Sequence, residues 1–206
     1  MVFHVFIITR CPIQLLFKKL HVKYFNVLTM KALLSLFILF AFSVYGQQIA
    51  FKNALVIGQF DKSEDRYAME LNLVEILQQN GYKAMPSFNL LKQGEALGNL
   101  LNDSTRNILK SKGIDAYVVL NVRGYDRKFK SSEAKTTLKE MLDMTSIYHI
   151  YRDEATSVTF EFTFFDLNNQ LIGRSLLKCG NVSDRDSVMK RFRKKLPKTI
   201  AKDWKS

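Results

Sequence analysis

Asn53–Phe60, NALVIGQF, is the stretch from which the fold can be read. Ala54–Ile57 is apolar without a break, and Gly58 and Phe60 extend the run past the single polar Gln59. A strand with one wet face alternates apolar and polar side chains, whereas an unbroken run marks a central strand covered on both faces, as in parallel sheets. The next segment is helical. Asp61 and Glu64 stand three apart as in a capping box, with Ser63 as a second candidate cap. Tyr67, Leu71, Val74 and Leu77 recur at helical spacing and form the expected core stripe of a helix to about Asn80. Gly81 can then end it in the left-handed conformation. Strand, helix and glycine make the first half of a β-α-β unit.

Toward the carboxyl side, Tyr82–Phe88 reads as a short strand, and Pro86 puts it at a sheet edge because proline donates nothing to a ladder. A looser connection over Leu90–Asn102 leads to a second helix, capped at Asn102 or Asp103 and stopped by Gly113. Ile114–Val122, IDAYVVLNV, is the second fully apolar strand. Two such strands with an intervening helix argue for a parallel core joined by right-handed crossovers.

Arg123–Thr156 is polar, carries charges of both signs and includes a helical turn or two over Thr136–Met144. It is too long for an inert connection. Ser157–Asp166 then alternates, Val158, Phe160, Phe162 and Phe164 to one face and Thr159, Glu161 and Thr163 to the other, as in an antiparallel strand with one wet face. Asn168–Asn169 turns the chain into Leu171–Cys179. A final helix starts at about Ser183. Met189, Phe192, Leu196, Ile200 and Trp204 fall on one side of it, and Pro197 is expected to kink or split it. The fold class is α/β with a mixed sheet: β-α-β-α-β, a polar insertion at 123–156, a β-hairpin and a carboxy-terminal helix.

On the amino side, Met30–Gly46, MKALLSLFILFAFSVYG, has one basic residue, an apolar run and a small-residue exit. That is the pattern of a secretory signal peptide, and its apolar run of about 14 residues is short of the ~20 that span a bilayer. Cleavage near Gly46 would leave residues 47–206 as one domain, secreted or periplasmic, with no transmembrane span. Because signals stand at the true amino terminus, Met1–Thr29 is expected to be an over-extended reading frame. The whole chain carries +12, but residues 47–206 hold 26 Lys/Arg against 19 Asp/Glu, a net +7.

Only Cys179 and His149 remain in that part, too few for an internal disulfide or for the usual zinc ligand sets. No cofactor and no metal are expected. Cys179, inside a strand, reads as a small buried hydrophobe.

Three stretches carry a resemblance: ALVIGQF at 54–60, KSKGIDAYVVLNV at 110–122 and SVTFEFTFFDLNNQLIG at 157–173. In their order and pattern they resemble small α/β domains of bacterial envelope proteins, such as the amino-terminal domain of TolB and the curli-secretion lipoprotein domain. The resemblance implies a non-enzymatic domain that docks to an envelope partner. No Cys follows the apolar run, a departure from the lipoprotein members.

Candidate ligand-binding residues are Gln59, Asp61, Asn121 and Arg123, at the carboxyl ends of the expected parallel strands, where such sheets collect ligands. His149 is a further candidate, with Asp153 or Glu154 as possible orienting carboxylates. GQFDKS lacks the glycines and the Lys-Ser/Thr pair of a phosphate loop. No catalytic residues are assigned. Lys190, Arg191, Arg193, Lys194 and Lys195 form a basic surface suited to an anionic envelope surface or an envelope protein. Nucleic acid is not expected, since the basic residues lack interleaved aromatics for base stacking. The sequence supports two readings: a non-catalytic docking domain, or a small ligand-binding protein or hydrolase with the 123–156 insertion as a lid over the strand-end crevice.

Overall fold

The computed structural model describes residues 49–91, 95–144 and 148–204. The expected signal peptide and the residues before it lie outside these. The five strands are β1 (Asn53–Gly58), β2 (Lys83–Pro86), β3 (Ala116–Tyr125), β4 (Ser157–Asp166) and β5 (Leu171–Gly180). The helices are α1 (Ser63–Gln79), α2 (Asp103–Ser111), α3 (Leu138–Asp143) and α4 (Arg185–Thr199). The sheet order is β2-β1-β3-β4-β5. β1 pairs in parallel with β2 and β3, and β3-β4-β5 is an antiparallel meander. The α/β fold with a mixed sheet is therefore the one expected, with Pro86 on the edge strand. Gly81 and Gly113 end α1 and the turn after α2 with φ of +89° and +71°.

Each face of the sheet has its own core. On the first face Ala54, Val56, Val118, Leu120, Phe160, Phe162 and Phe164 meet α1 and α4. On the second, Leu55, Ile57, Tyr117, Val119 and Phe165 meet Leu100, Leu109, Leu138 and Met141. This is why β1 is apolar throughout: it is buried on both faces.

Five expectations need correction. The stripe on α1 is rotated: Tyr67 is 55% and Leu71 40% exposed, while Met69, Leu73, Ile76 and Leu77 are buried. The buried side also holds Asp65, Glu70 and Asn72, each bonded internally, which makes that face look polar in the sequence. The Asp61–Glu64 capping box is absent; Lys62 is the N-cap and makes no side-chain cap bond. The final helix is capped by Asp184, in a box with Ser187, one residue after Ser183. α4 also runs through Pro197 without splitting, then widens into a π-helical turn at Ile200–Trp204. A wider turn absorbs local disruption of the bonding ladder, and it keeps Ile200 and Trp204 buried beside Val188, Phe192 and Leu196.

The fifth difference is on β4. Thr159, Glu161 and Thr163 are 3%, 3% and 1% exposed, so this strand has no wet face.

Candidate functional site

β3 is longer than its parallel neighbours. Its pairing with β1 stops at Gly58–Leu120, so Asn121–Tyr125 continues past the end of β1 with β4 as partner. The chain then leaves the sheet at Asp126 and returns at Thr156. Between these points the first part of the insertion lies over the second face. Arg174 on β5 holds it by donating to Ser132 O at 2.6 Å, Ala134 O at 2.8 Å and Thr136 Oγ1 at 2.9 Å. Gly124 admits Phe129 so closely that a Cβ there would stand 2.6 Å from the ring. Thr137 and Glu140 form a capping box that starts α3. Gln59, just past β1, donates from Nε2 to Met141 O at 2.7 Å and to Met144 O, tying down the end of α3.

Beside the apolar contacts of α3, a group of polar side chains lies beneath this cover. Asn121 faces Glu161 across the β3–β4 ladder, and Thr159 lies two residues back on the same face. Among the described residues Glu161 has one ion-pair contact, Arg123, with Nη1 at 3.7 Å from Oε2, too far for a hydrogen bond, and that arginine is 43% exposed. Arg174 and Lys178 stand on the same face of β5, opposite Thr163 and Thr159. Of the buried side-chain oxygens with no hydrogen-bond partner among the described residues, three lie together here, Glu161 Oε1, Asn121 Oδ1 and Thr159 Oγ1; Tyr117 Oη, Asn169 Oδ1 and Ser175 Oγ lie elsewhere. Buried polar groups are nearly always paired, so three such acceptors together require explanation.

The ligand candidates thus separate. Gln59, Asn121 and Arg123 come together under or beside the cover. Gln59 has a structural part, holding α3. Asp61 is exposed and contributes nothing to this place. His149 belongs to the later part of the insertion, whose Tyr148, Ile150 and Ala155 pack against the first core. Its carbonyl accepts a bond from Tyr125 Oη at 2.7 Å, and Arg152 stacks over the Tyr125 ring at 4.9 Å. Glu161 and Thr159 escape sequence reasoning because strict alternation with phenylalanines makes them look solvent-facing. The signal available is the long polar insertion, which has to cover something.

The basic residues separate as well. Arg193, still exposed, donates from Nε to Asn72 Oδ1 on α1 and lies 3.8 Å from Glu75. Lys195 donates to Lys178 O at 2.8 Å. Lys190 and Lys194 are exposed and Arg191 is half-buried; none has an ion-pair partner among the described residues. Cys179 is fully buried, and burial pushes its thiol up to about 12, so Cys179 supplies no thiolate nucleophile at neutral pH. Among the described residues no group of three or more His, Cys, Asp or Glu could hold a metal ion. None of their helices is long and apolar enough to cross a membrane.

No protein-family model and no curated protein matches this chain. Solved structures do. Lipoprotein GNA1162 from Neisseria meningitidis is 13% identical, with 73% of this chain and 99% of that one covered and a TM-score of 0.39. The PelC dodecamer from Paraburkholderia phytofirmans is 10% identical, with 77% of this chain and 91% of that one covered and a TM-score of 0.41. A lipoprotein thus stands among the similar structures, while the likeness to TolB drawn from the sequence pattern has no counterpart in these two. At these scores the likeness is one of general shape.

Proposed function

We propose that this chain is a non-catalytic domain of the bacterial envelope, secreted or periplasmic, that docks to an anionic envelope partner through the outer face of α4. The observation that carries this reading is how α4 divides its residues. Val188, Phe192 and Leu196, with Ile200 and Trp204 beyond, fill the first core, so the apolar stripe has no further part to play. Lys190, Lys194 and Lys198 stand outward in solvent, with Arg191 beside them. A row of cations on one rigid helix, paired with no acid among the described residues, attracts and orients an anionic surface. The secretory pattern at Met30–Gly46 supports the setting.

The test is co-sedimentation of the purified protein with neutral vesicles and with vesicles rich in phosphatidylglycerol, beside capture of a partner from envelope fractions in low and moderate salt. Binding that salt weakens is expected. Charge reversal at Lys190, Arg191 and Lys194 removes three cations, each worth about 1 kcal/mol near an anionic membrane surface. Unchanged binding by that variant rejects the surface.

A further inference from the structure

The three unpartnered oxygens under the insertion have a chemistry of their own. All can accept a hydrogen bond, one belongs to a carboxylate, and the place is closed above by residues pinned at Arg174, Gly124 and Gln59. Burying a carboxylate without full pairing costs several kcal/mol. The sequence has valine and phenylalanine at neighbouring strand positions, so an apolar alternative was open.

Directly opposed residues of an antiparallel pair have Cβ atoms about 5 Å apart, and diagonal neighbours lie within about 8 Å. Asn121, Glu161 and Thr159 therefore reach a common point. A site with a single carboxylate suits a singly charged guest better than a divalent metal, which asks for more anionic ligands. A primary ammonium carries three donors and one positive charge, matching three acceptors and one negative charge.

We propose that Glu161, Asn121 and Thr159 form a recognition pocket for a primary ammonium group, with Arg123 as the placeholder that the guest displaces. Arg123 suits that part: it is close enough to screen Glu161, too distant to bond it, and exposed enough to swing into solvent. The insertion is then the cover of a ligand site. This pocket lies on the second face of the sheet and α4 on the first, so it stands or falls independently of docking through α4.

The ammonium can come from a small free amine or from a lysine of a partner protein, and the two are separable. Amide spectra of isotope-labelled protein are recorded during titration with methylammonium chloride, Nα-acetyl-lysine methylamide and, at matched ionic strength, tetramethylammonium chloride. The expected result is saturable shifts at Asn121, Thr159 and Glu161 with the first two and none with tetramethylammonium, which has no N–H. Tighter binding of the lysine derivative indicates a protein lysine; equal or weaker binding indicates a small amine. Glu161→Gln keeps the shape and removes the charge, and it weakens binding at least ~10-fold, as loss of a charged hydrogen bond does. Arg123→Gln tightens binding about fivefold, the equivalent of a ~1 kcal/mol ion pair. An equal response to tetramethylammonium, no saturable shift, or unchanged binding in a folded Glu161→Gln protein overturns the proposal. If Glu161→Gln fails to fold, the Arg123→Gln titration decides: no tightening overturns it.

Discussion

Glu70 and Glu161 are both shut away from solvent, on opposite faces of one sheet, and their surroundings differ in kind. Around Glu70 both carboxylate oxygens are bonded. Oε1 accepts from Gly58 N at 2.8 Å, Arg66 Nε at 3.0 Å and Ser87 Oγ at 2.7 Å, and Oε2 accepts from Ser87 N at 2.8 Å. Arg66 Nη2 closes the ring on Ser87 Oγ at 2.7 Å. One carboxylate thereby joins α1, the end of β1 and the turn after β2. Glu161 has one distant arginine and an oxygen with no partner among the described residues. A buried charge that is fully bonded organises a fold, whereas one left short of donors is a strain on it unless something else completes it. The first is a structural joint. The second is where a guest would complete the bonding.

Removing each carboxylate in turn tests this difference most severely. Glu70→Ala strands the amides of Gly58 and Ser87 in the interior and takes the partly exposed Arg66 guanidinium's countercharge away, and is expected to cost about 3–5 kcal/mol. Chemical denaturation reads it as a lower midpoint with little change in slope. Were Glu70→Ala to cost no more than a surface substitution, the joint would be a coincidence of geometry.

Next in size is the cover itself. Gly124 has a φ of +151°, and a Cβ there would stand 2.6 Å from Phe129. Gly124→Ala therefore combines backbone strain with a clash, an expected loss of about 1–3 kcal/mol. The loss should be local: limited proteolysis is expected to cut sooner within 127–137, while α1 and α4 keep their resistance. Uniform loosening of the whole domain would show that the cover and the sheet fold as one piece.

Glu161→Gln comes third and lacks the large loss expected of Glu70→Ala. Replacing an incompletely paired buried charge by a neutral amide is expected to leave stability within about 1 kcal/mol of the parent or to raise it, since the desolvation penalty falls. Thermal unfolding without ligand measures it. A loss as large as that of Glu70→Ala would mean that Arg123 supports Glu161 far better than a 3.7 Å separation suggests.

The two glutamates also show what the sequence can and cannot convey. The strands are legible because burial on two faces leaves a long apolar run, as in NALVIGQF, and because phenylalanine alternation in Ser157–Asp166 is a period-two signal that no helix produces. Gly81, Gly113 and Asn102 mark their helix ends through local backbone chemistry alone. Whatever depends on a distant neighbour is lost. Tyr67 and Leu71 look like core and Glu70 looks like surface until Gly58, Ser87 and Arg66 surround the carboxylate. Glu161 reads as solvent-facing until the first part of the insertion is laid over it. Asn121 and Arg123 stand out by their position at a strand end, but their partner Glu161 lies across a ladder whose register only the fold sets.

The smallest effect concerns how the cover is closed, and it is a pH effect. Asp126 ends β3 and Thr156 begins the return, so the bonds between them tie the two ends of the insertion together. Asp126 Oδ1 accepts from Thr156 Oγ1 at 2.9 Å, Thr156 N at 2.9 Å and Ser157 N at 2.7 Å. The Thr156 hydroxyl bond, followed by those from the Ser157 and Thr156 amides, holds the Asp126 carboxyl below the usual carboxylate range. A carboxyl whose folded pKa is depressed contributes stability that is fully present above its unfolded value, about 3.9, and is lost as pH falls through the folded value. The tie is thus intact at neutral pH and released only in acid, below about pH 4. Glu140, whose carboxyl is lowered by the Thr137 amide in the α3 capping box, weakens in the same direction. Lowering the pH from about 6 toward about 3, across the aspartate range, is expected to move the amide resonances of Thr156 and Ser157 together along one titration curve with a midpoint below that of a free aspartate. Asp126→Asn, which keeps one acceptor oxygen and loses the charge, should flatten that curve and leave the strands unperturbed. A midpoint at the free-aspartate value would show that the cover is open at this end in solution, and the enclosure around Glu161 would then depend on Arg174, Phe129 and Gln59.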